Sequence, residues 1–218
     1  MNIQSCSHLT TAHNRFDTRI YHKMCKSLEA NGYKVNLFVA DGGGDQIIEN
    51  ISIYDLGKPE SRFERMFKFP IKLFIKSLSI SSDIFHLHDP ELIYIGYLLR
   101  LNKKKVIFDS HEDVAIQMLS KPYLNKFLLK IISRIYSFYE WILCRKFDGI
   151  IAATPNINSK LSAINKNVVE VKNYPKLLFG NQEELKQQKK DHICYVGGLE
   201  EIRGLTEICD AMEIVKSE

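Results

Sequence analysis

Two clusters of imidazole and carboxylate groups stand at the ends of neighbouring apolar runs. In "DIFHLHDPE", residues 83–91, a short apolar segment ends in His86, His88 and Asp89. In "KKVIFDSHED", residues 104–113, the next one ends in Asp109, Ser110, His111, Glu112 and Asp113. His86 and His88 are two apart, so on a strand they share a face. Such a pair at a strand end suits three readings: a metal site with Asp89 or Asp109 as oxygen ligand, contact with an organic substrate, or polar strand-end residues with local hydrogen bonds. His111 among carboxylates can orient a hydroxyl or shift its proton, and carboxylates accept hydrogen bonds from sugar hydroxyls. A solvated acidic loop is the plain alternative.

A third candidate stretch is "HNRFDTRI", residues 13–20. Asp17 and Thr18 are natural helix caps. Arg19 gains nothing from the dipole at a helix start, so the sequence points to a partner or ligand for it. Thr154, before Pro155, is another cap at a strand end. A fourth stretch, "VGGLEEIRGL" (196–205), places Gly197 and Gly198 in a strand-to-helix turn of the kind that lets backbone amides approach phosphates. Two glycines also serve in any tight turn.

The elements that must position these groups alternate between short β-like and helix-like runs. Strand candidates are 33–40, 50–56, 83–88, 104–110, 148–154, 168–173 and 192–198, rich in Val, Ile, Phe and Tyr. Between them, Ile20, Met24 and Leu28 recur at helical spacing until Gly32, and Asp89-Pro90-Glu91 reads as a helix start. This alternation predicts an α/β domain with a parallel sheet and flanking helices. In such folds ligands bind beyond the carboxyl ends of the strands, where the candidates fall. The segment 179–191 is polar and charged, and reads as a linker between a domain over 1–178 and the start of a second one over 192–218.

Bulk composition narrows the class. The 218 residues carry a net charge of +4, too mild to imply nucleic acid. The five cysteines are scattered without C-x-x-C spacing, which argues against a disulfide framework or a structural zinc site and fits a reducing cytosol. The N-terminus has no secretory pattern, and no window reaches the roughly 18 apolar residues of a membrane span. Two basic–aromatic stretches, 61–77 and 123–147, set Lys126, Lys130 and Arg134 four apart beside Leu124, Leu128, Ile131, Ile135 and Ile142. They suit either an anionic membrane surface or an ordinary surface helix with a solvated basic face.

Taken in order, "HNRFDTRIYHKMCKSLEANGYKVNLFVAD", "DIFHLHDPELIYIGYLL", "KKVIFDSHED", "DGIIAATPNI", "VVEVKNYP" and "ICYVGGLEEIRGL" resemble glycosyltransferase family 4, above all its bacterial capsule and lipopolysaccharide-type members. The resemblance implies a GT-B fold of two Rossmann-like domains, of which 1–178 would be the acceptor-binding one. It implies sugar transfer from a nucleotide-sugar donor with retention of configuration, no cofactor and no metal. His111 would match the His that contacts the transferring sugar. The acceptor side would comprise Asp17, Arg19, His86, His88, Asp89, Asp109, Glu112, Thr154 and Asn173. Gly197, Gly198 and Arg203 would stand at the donor phosphates, with Arg203 where the family has Lys. The first loop reads "RFDTR" where many members carry Gly-Gly. On this pattern the chain stops before the donor-binding glutamates, so the expectation is a truncated chain, weakly active or inactive alone, that needs a partner chain supplying the missing domain. A lipid-linked or other saccharide acceptor, cytoplasmic location and peripheral contact with the inner face of the membrane through the two basic stretches complete the expectation. The alternative is a non-catalytic membrane-surface scaffold derived from such an enzyme.

Overall fold

The computed structural model describes residues 4–119, 125–175, 192–197 and 204–216. The chain divides into two compact units, Met1–Asn173 and Tyr174–Glu218. The first is built on eight strands: β1 (Ser5–Leu9), β2 (Lys34–Val39), β3 (Gln46–Ile48), β4 (Ile51–Asp55), β5 (Ile84–Leu87), β6 (Lys105–Ser110), β7 (Gly149–Ala152) and β8 (Val168–Glu170). Their order in the sheet is β3-β4-β2-β1-β5-β6-β7-β8. All pairs are parallel except β3–β4, at one edge. The order reverses at β1, which lies between β2 and β5. That crevice is where an open α/β sheet receives ligands.

Both faces of the sheet are buried, as parallel sheets require. On β2, Phe38 faces one core with Phe85, Leu87, Val106, Phe108 and Ile150, while Val35, Leu37 and Val39 face the other with Ile51 and Ile53. A fully buried side chain of this size contributes about 1.5–3 kcal/mol. The first core is covered by α2 (Phe69–Leu78), α3 (Ile93–Leu101), α5 (Lys126–Cys144) and α6 (Pro155–Ser162), through residues such as Leu73, Leu99, Cys144 and Leu161. α3 approaches closely at Gly96, where a Cβ would lie 2.5 Å from Leu87 Cδ1 and 2.8 Å from the Phe147 ring. The second core is covered by Ile20, Tyr21 and Cys25, from a stretch of wide π-type turns (Ile20–Cys25) that runs into α1 (Lys26–Ala30). The short α4 (Val114–Leu119) packs on α5, where Ser133 Oγ donates to the Ala115 carbonyl at 2.8 Å.

Periodicity does not announce the short edge strand β3, nor β1, near the centre of the sheet. Its sequence, Ser-Cys-Ser-His-Leu, has no apolar alternation. The polar groups are buried because side chains answer them: Asn36 Nδ2 donates to Ser7 Oγ at 3.2 Å, and His8 Nδ1 lies 2.8 Å from His88 Nε2. The expected strand 168–173 is shorter than expected; only Val171 N extends its pairing, to Ala152 O at 2.9 Å. In the second unit, 192–197 carries no strand pairing, because a strand needs a hydrogen-bonded neighbour and none is present among the described residues. The helix α7 (Leu205–Lys216) follows. The boundary expected at 178 and the linker 179–191 lie outside the described residues.

α5 turns part of its apolar surface outward. Leu129, Ser133, Glu140 and Cys144 are buried, while Phe127, Ile131, Ile135, Phe138 and Trp141 are exposed, Phe127 at 72%. The turns before α2 and α2 itself do the same with Phe63, Phe67, Ile71 and Ile75. Among the described residues no helix is long and apolar enough to cross a membrane.

Candidate functional site

Four loops meet beyond the carboxyl ends of β1, β5, β6 and β7. The loop after β1 is pinned by Asp89. Its carboxylate accepts from Thr10 Oγ1 at 2.9 Å and Ala12 N at 3.1 Å, and also from Thr11 N. Asp89 does occupy the cap position of the turn Pro90–Leu92, but its side chain makes no bond to that turn. The loop amides of Thr11 and Ala12, nearly eighty positions earlier, take the charge instead, in charge-assisted hydrogen bonds. Thr154, by contrast, does cap α6, accepting from Ile157 N at 3.3 Å.

His13 stands on this pinned loop. Its Nδ1 lies 3.2 Å from Asp17 Oδ2 and its Nε2 3.5 Å from Asp89 Oδ1. Asp17 Oδ1 also accepts from Arg19 N and Ile20 N, at 2.8 and 2.9 Å, so it caps the turns that follow. The bond to Asp17 raises the His13 pKa, and the same bond holds Asp17 well below the usual carboxylate range. The His111 ring meets His13 edge-on, with centroids 5.4 Å apart. Burial pushes the His111 pKa down, so its imidazole is neutral at pH 7. Its Nδ1 is buried without a hydrogen-bond partner among the described residues.

The His13–Asp17 pair has a pH signature. A histidine whose folded pKa is raised adds stability that is fully present below its unfolded value of about 6.5. That stability is lost as pH rises through the raised value. The thermal midpoint of wild type should therefore exceed that of His13→Gln by more at pH 6 than at pH 9. Equal margins would mean that the pair is not ionic.

Arg19 does have a partner, and it is internal. Its Nε and Nη2 donate to the two oxygens of Asp109 at 2.8 and 2.7 Å, and Nη2 also reaches the Val171 carbonyl at 3.1 Å. Asp109 is buried, which would raise its pKa, but the bonds from Arg19 and His88 hold it far below the ordinary range. His88 is fully buried, its Nδ1 3.3 Å from Asp109 and its Nε2 2.8 Å from His8 Nδ1. Asp109, Arg19 and His88 thus form a floor beneath the loops.

Three cavities larger than 300 Å³ lie around this floor among the described residues. One, of about 310 Å³, is lined by His13, Asp17, Arg19, His111, Glu112, Thr154 and Asn173. A groove of about 660 Å³ is lined by His13, Asp89, Glu91, His111 and Glu112, by Arg65, Met66 and Phe67 before α2, and by Tyr94, Met118, Tyr136 and Tyr139. His13, His111 and Glu112 are common to both and form the wall between them. In the groove, burial and then the charge of Asp89 raise the Glu91 pKa, and Arg65 pairs with Glu91 at 3.2 Å. His86 is not in this assembly. It points from the strand into a third cavity, of about 450 Å³, with Cys6 and His8. Burial pushes the His86 pKa down to about 3 and that of His8 well below the ordinary value.

Of the acceptor-side candidates, Asp17, Arg19, Asp89, Glu112, Thr154 and Asn173 therefore line the two adjoining spaces with His111, while His88 and Asp109 lie beneath them. Asn173 Oδ1 accepts from Lys23 Nζ at 2.6 Å. Gly197 belongs to the second unit, and Gly198 and Arg203 lie outside the described residues. Sequence reasoning missed His8, Thr10, Thr11, His13 and Glu91. The Thr-Thr-Ala-His run (10–13) that follows an unrecognised strand was an available signal.

Comparison with known proteins supplies a family. The family model of Glycosyltransferase Family 4 matches residues 18–171. No curated protein matches the sequence. Among solved structures, the sucrose-phosphate synthase from Thermosynechococcus elongatus is similar at a TM-score of 0.57 with 14% identity, over 78% of this chain and 48% of that one. A shorter chain of the same synthase gives 0.54 with 15% identity, over 79% and 91%. The catalytic domain of starch synthase IV from Arabidopsis thaliana, bound to ADP and acarbose, gives 0.51 with 11% identity, over 79% and 52%. At these identities the likeness concerns the fold. The chain spans about half the length of the full synthase chains it resembles.

Proposed function

The chain belongs to glycosyltransferase family 4, and from that premise we propose that its first unit is the acceptor side of a retaining, nucleotide-sugar-dependent transferase of bacterial surface polysaccharide synthesis. In that reaction an acceptor hydroxyl oxygen bonds to the anomeric carbon of the sugar. The bond from that carbon to the nucleoside diphosphate breaks, and the hydroxyl proton leaves with the diphosphate. The observation that carries the reading is the shared wall. A sugar in the 310 Å³ cavity and an acceptor in the 660 Å³ groove would meet at His13, His111 and Glu112. The neutral imidazole of His111 and the carboxylate of Glu112 suit hydrogen bonds to sugar hydroxyls. No metal is invoked at the transfer site. Gly197, Gly198 and Arg203 remain the proposed donor-phosphate contacts, on the family pattern alone.

The groove also supports a class of acceptor. Its wall beyond Glu91 is apolar and aromatic, through Met66, Phe67, Val114, Met118 and Tyr139. That lining suits a saccharide attached to a lipid, with the polar end at His111. The direct test is equilibrium binding of a polyprenyl-diphosphate-linked saccharide to the full chain. Saturable binding is expected, weakened about 10-fold or more by Met118→Glu, which puts a charge into the apolar wall. Absence of binding would remove the acceptor assignment.

A second reading, a non-catalytic scaffold on a membrane surface, is favoured by the outward apolar residues of α2 and α5 beside Lys126, Lys130 and Arg134. Basic groups near an anionic surface contribute about 1 kcal/mol each. Reversal of the three charges should therefore weaken binding to vesicles rich in anionic lipid by about 100-fold or more. Unchanged vesicle binding would assign those residues to solvent. Vesicle binding without lipid-linked saccharide binding would favour the scaffold.

A further inference from the structure

We propose that Cys6, His8 and His86 form a binding site for one borderline-soft divalent ion, zinc being the ordinary candidate, apart from the transfer site. Three observations place the ligands together. His8 and His86 are register partners across β1 and β5, and Cys6 lies two residues before His8 on the same face of β1. One ligand atom from each residue lies within 4.8 Å of the other two. Cys6 Sγ lies 3.8 Å from His8 Nε2. Bond lengths to tetrahedral zinc put such a sulfur–nitrogen pair roughly 3.6 Å apart, close to that distance.

The hydrogen bonds around the cluster turn the His8 Nε2 and Cys6 Sγ atoms toward each other and leave His86 Nε2 without a partner among the described residues. Asp109 is ionised and accepts from Arg19 and from His88 Nδ1–H. The Nε2 of His88 then accepts from His8 Nδ1–H. His8 Nε2 is left to accept from the Cys6 thiol, 3.8 Å away, a bond that a metal ion would replace. This is the carboxylate-oriented imidazole of metal centres, with the second shell already built. His86 is 4% exposed, and its Nε2 has no hydrogen-bond partner among the described residues. A buried acceptor or donor without a partner costs about 1–3 kcal/mol, and a metal ion would supply the partner. His88 and Asp109 are excluded as ligands because their own bonds already occupy them.

The chemistry of the set selects the ion. A thiolate with two imidazoles suits zinc or cobalt(II) over magnesium or calcium, which prefer oxygen. On binding, the sulfur–metal bond forms as the thiol proton leaves to solvent. The 450 Å³ cavity onto which all three residues open gives an entry path and leaves a fourth position for water. The ion would tie β1 to β5 directly beneath the loops of the site, a structural role.

The test uses the full chain after chelator treatment, titrated with cobalt(II) and then with zinc. The expected result is one cobalt(II) per chain, with a near-ultraviolet sulfur-to-cobalt charge-transfer absorption that zinc abolishes. Cys6→Ser should remove that absorption and weaken binding about 100-fold or more. His88→Gln should weaken it about 10–100-fold. The double variant Cys194→Ser/Cys209→Ser, which removes the exposed thiols, should leave it unchanged. No absorption at one equivalent in wild type overturns the proposal, as does absorption that survives in Cys6→Ser. If Cys6→Ser does not fold, His86→Gln decides, since a wild-type affinity in that variant overturns the site equally.

Discussion

On the proposed function, in an assembly that supplies the donor-binding domain, His111→Ala is expected to lower sugar transfer by about 10²–10⁴-fold, the usual scale for removal of a positioned acid–base or hydrogen-bonding group, while leaving the fold intact. The structural half of this expectation follows from its surroundings. Its Nδ1 has no hydrogen-bond partner among the described residues, so truncation orphans no group at that atom. Unfolding free energy should change by no more than about 0.5 kcal/mol. The catalytic half follows from position, on the wall common to the groove and the smaller cavity. His111→Gln distinguishes the two ways the imidazole can act. A glutamine donates a hydrogen bond but does not exchange a proton near neutrality, so partial recovery identifies hydrogen bonding and none identifies proton transfer. Since burial lowers the His111 pKa, the acid limb of the rate should fall below pH 6.5. Transfer by His111→Ala at the wild-type rate would dismiss the shared wall as the place of reaction.

The loops that make this wall were partly legible in the sequence, and the reason differs from residue to residue. Strands made of Val, Ile and Phe, such as Lys34–Val39 and Lys105–Ser110, could be read because their burial is written in side-chain type. β1 could not, because Ser7 and His8 are buried by virtue of bonds to Asn36 and His88, remote in sequence. The excess charge of Arg19 at a helix start correctly signalled a partner, yet that partner is Asp109, ninety positions on. Asp89 looked like a cap and serves another loop. His86 and His88, adjacent in the strand alternation, touch with ring centroids 4.5 Å apart, yet one lines a cavity and the other is locked in the floor. Strand periodicity tells which residues share a face. It does not tell which hydrogen bonds close over them.

The floor itself yields the second large effect. Arg19→Met should cost about 3–5 kcal/mol of stability, because it leaves the Asp109 carboxylate buried without its cation. The two side chains are 7% and 0% exposed, and their bonds are short and two-pronged. Desolvating both charges is expensive, so the pair as a whole need not stabilise the fold by that amount. The double variant Arg19→Met/Asp109→Leu should accordingly recover much of the loss, and urea unfolding of the four proteins in the cycle measures the coupling directly. The pH dependence has a definite sign. Asp109 is held below its unfolded pKa of about 3.9, so its contribution is present above that value and lost as pH falls through the folded one. The gap between wild type and Arg19→Met should therefore narrow below pH 4. A cost under 1 kcal/mol would mean that His88, at 3.3 Å, suffices to hold Asp109. The larger cost would establish that one ion pair fixes the base from which the loops bearing His13 and His111 rise.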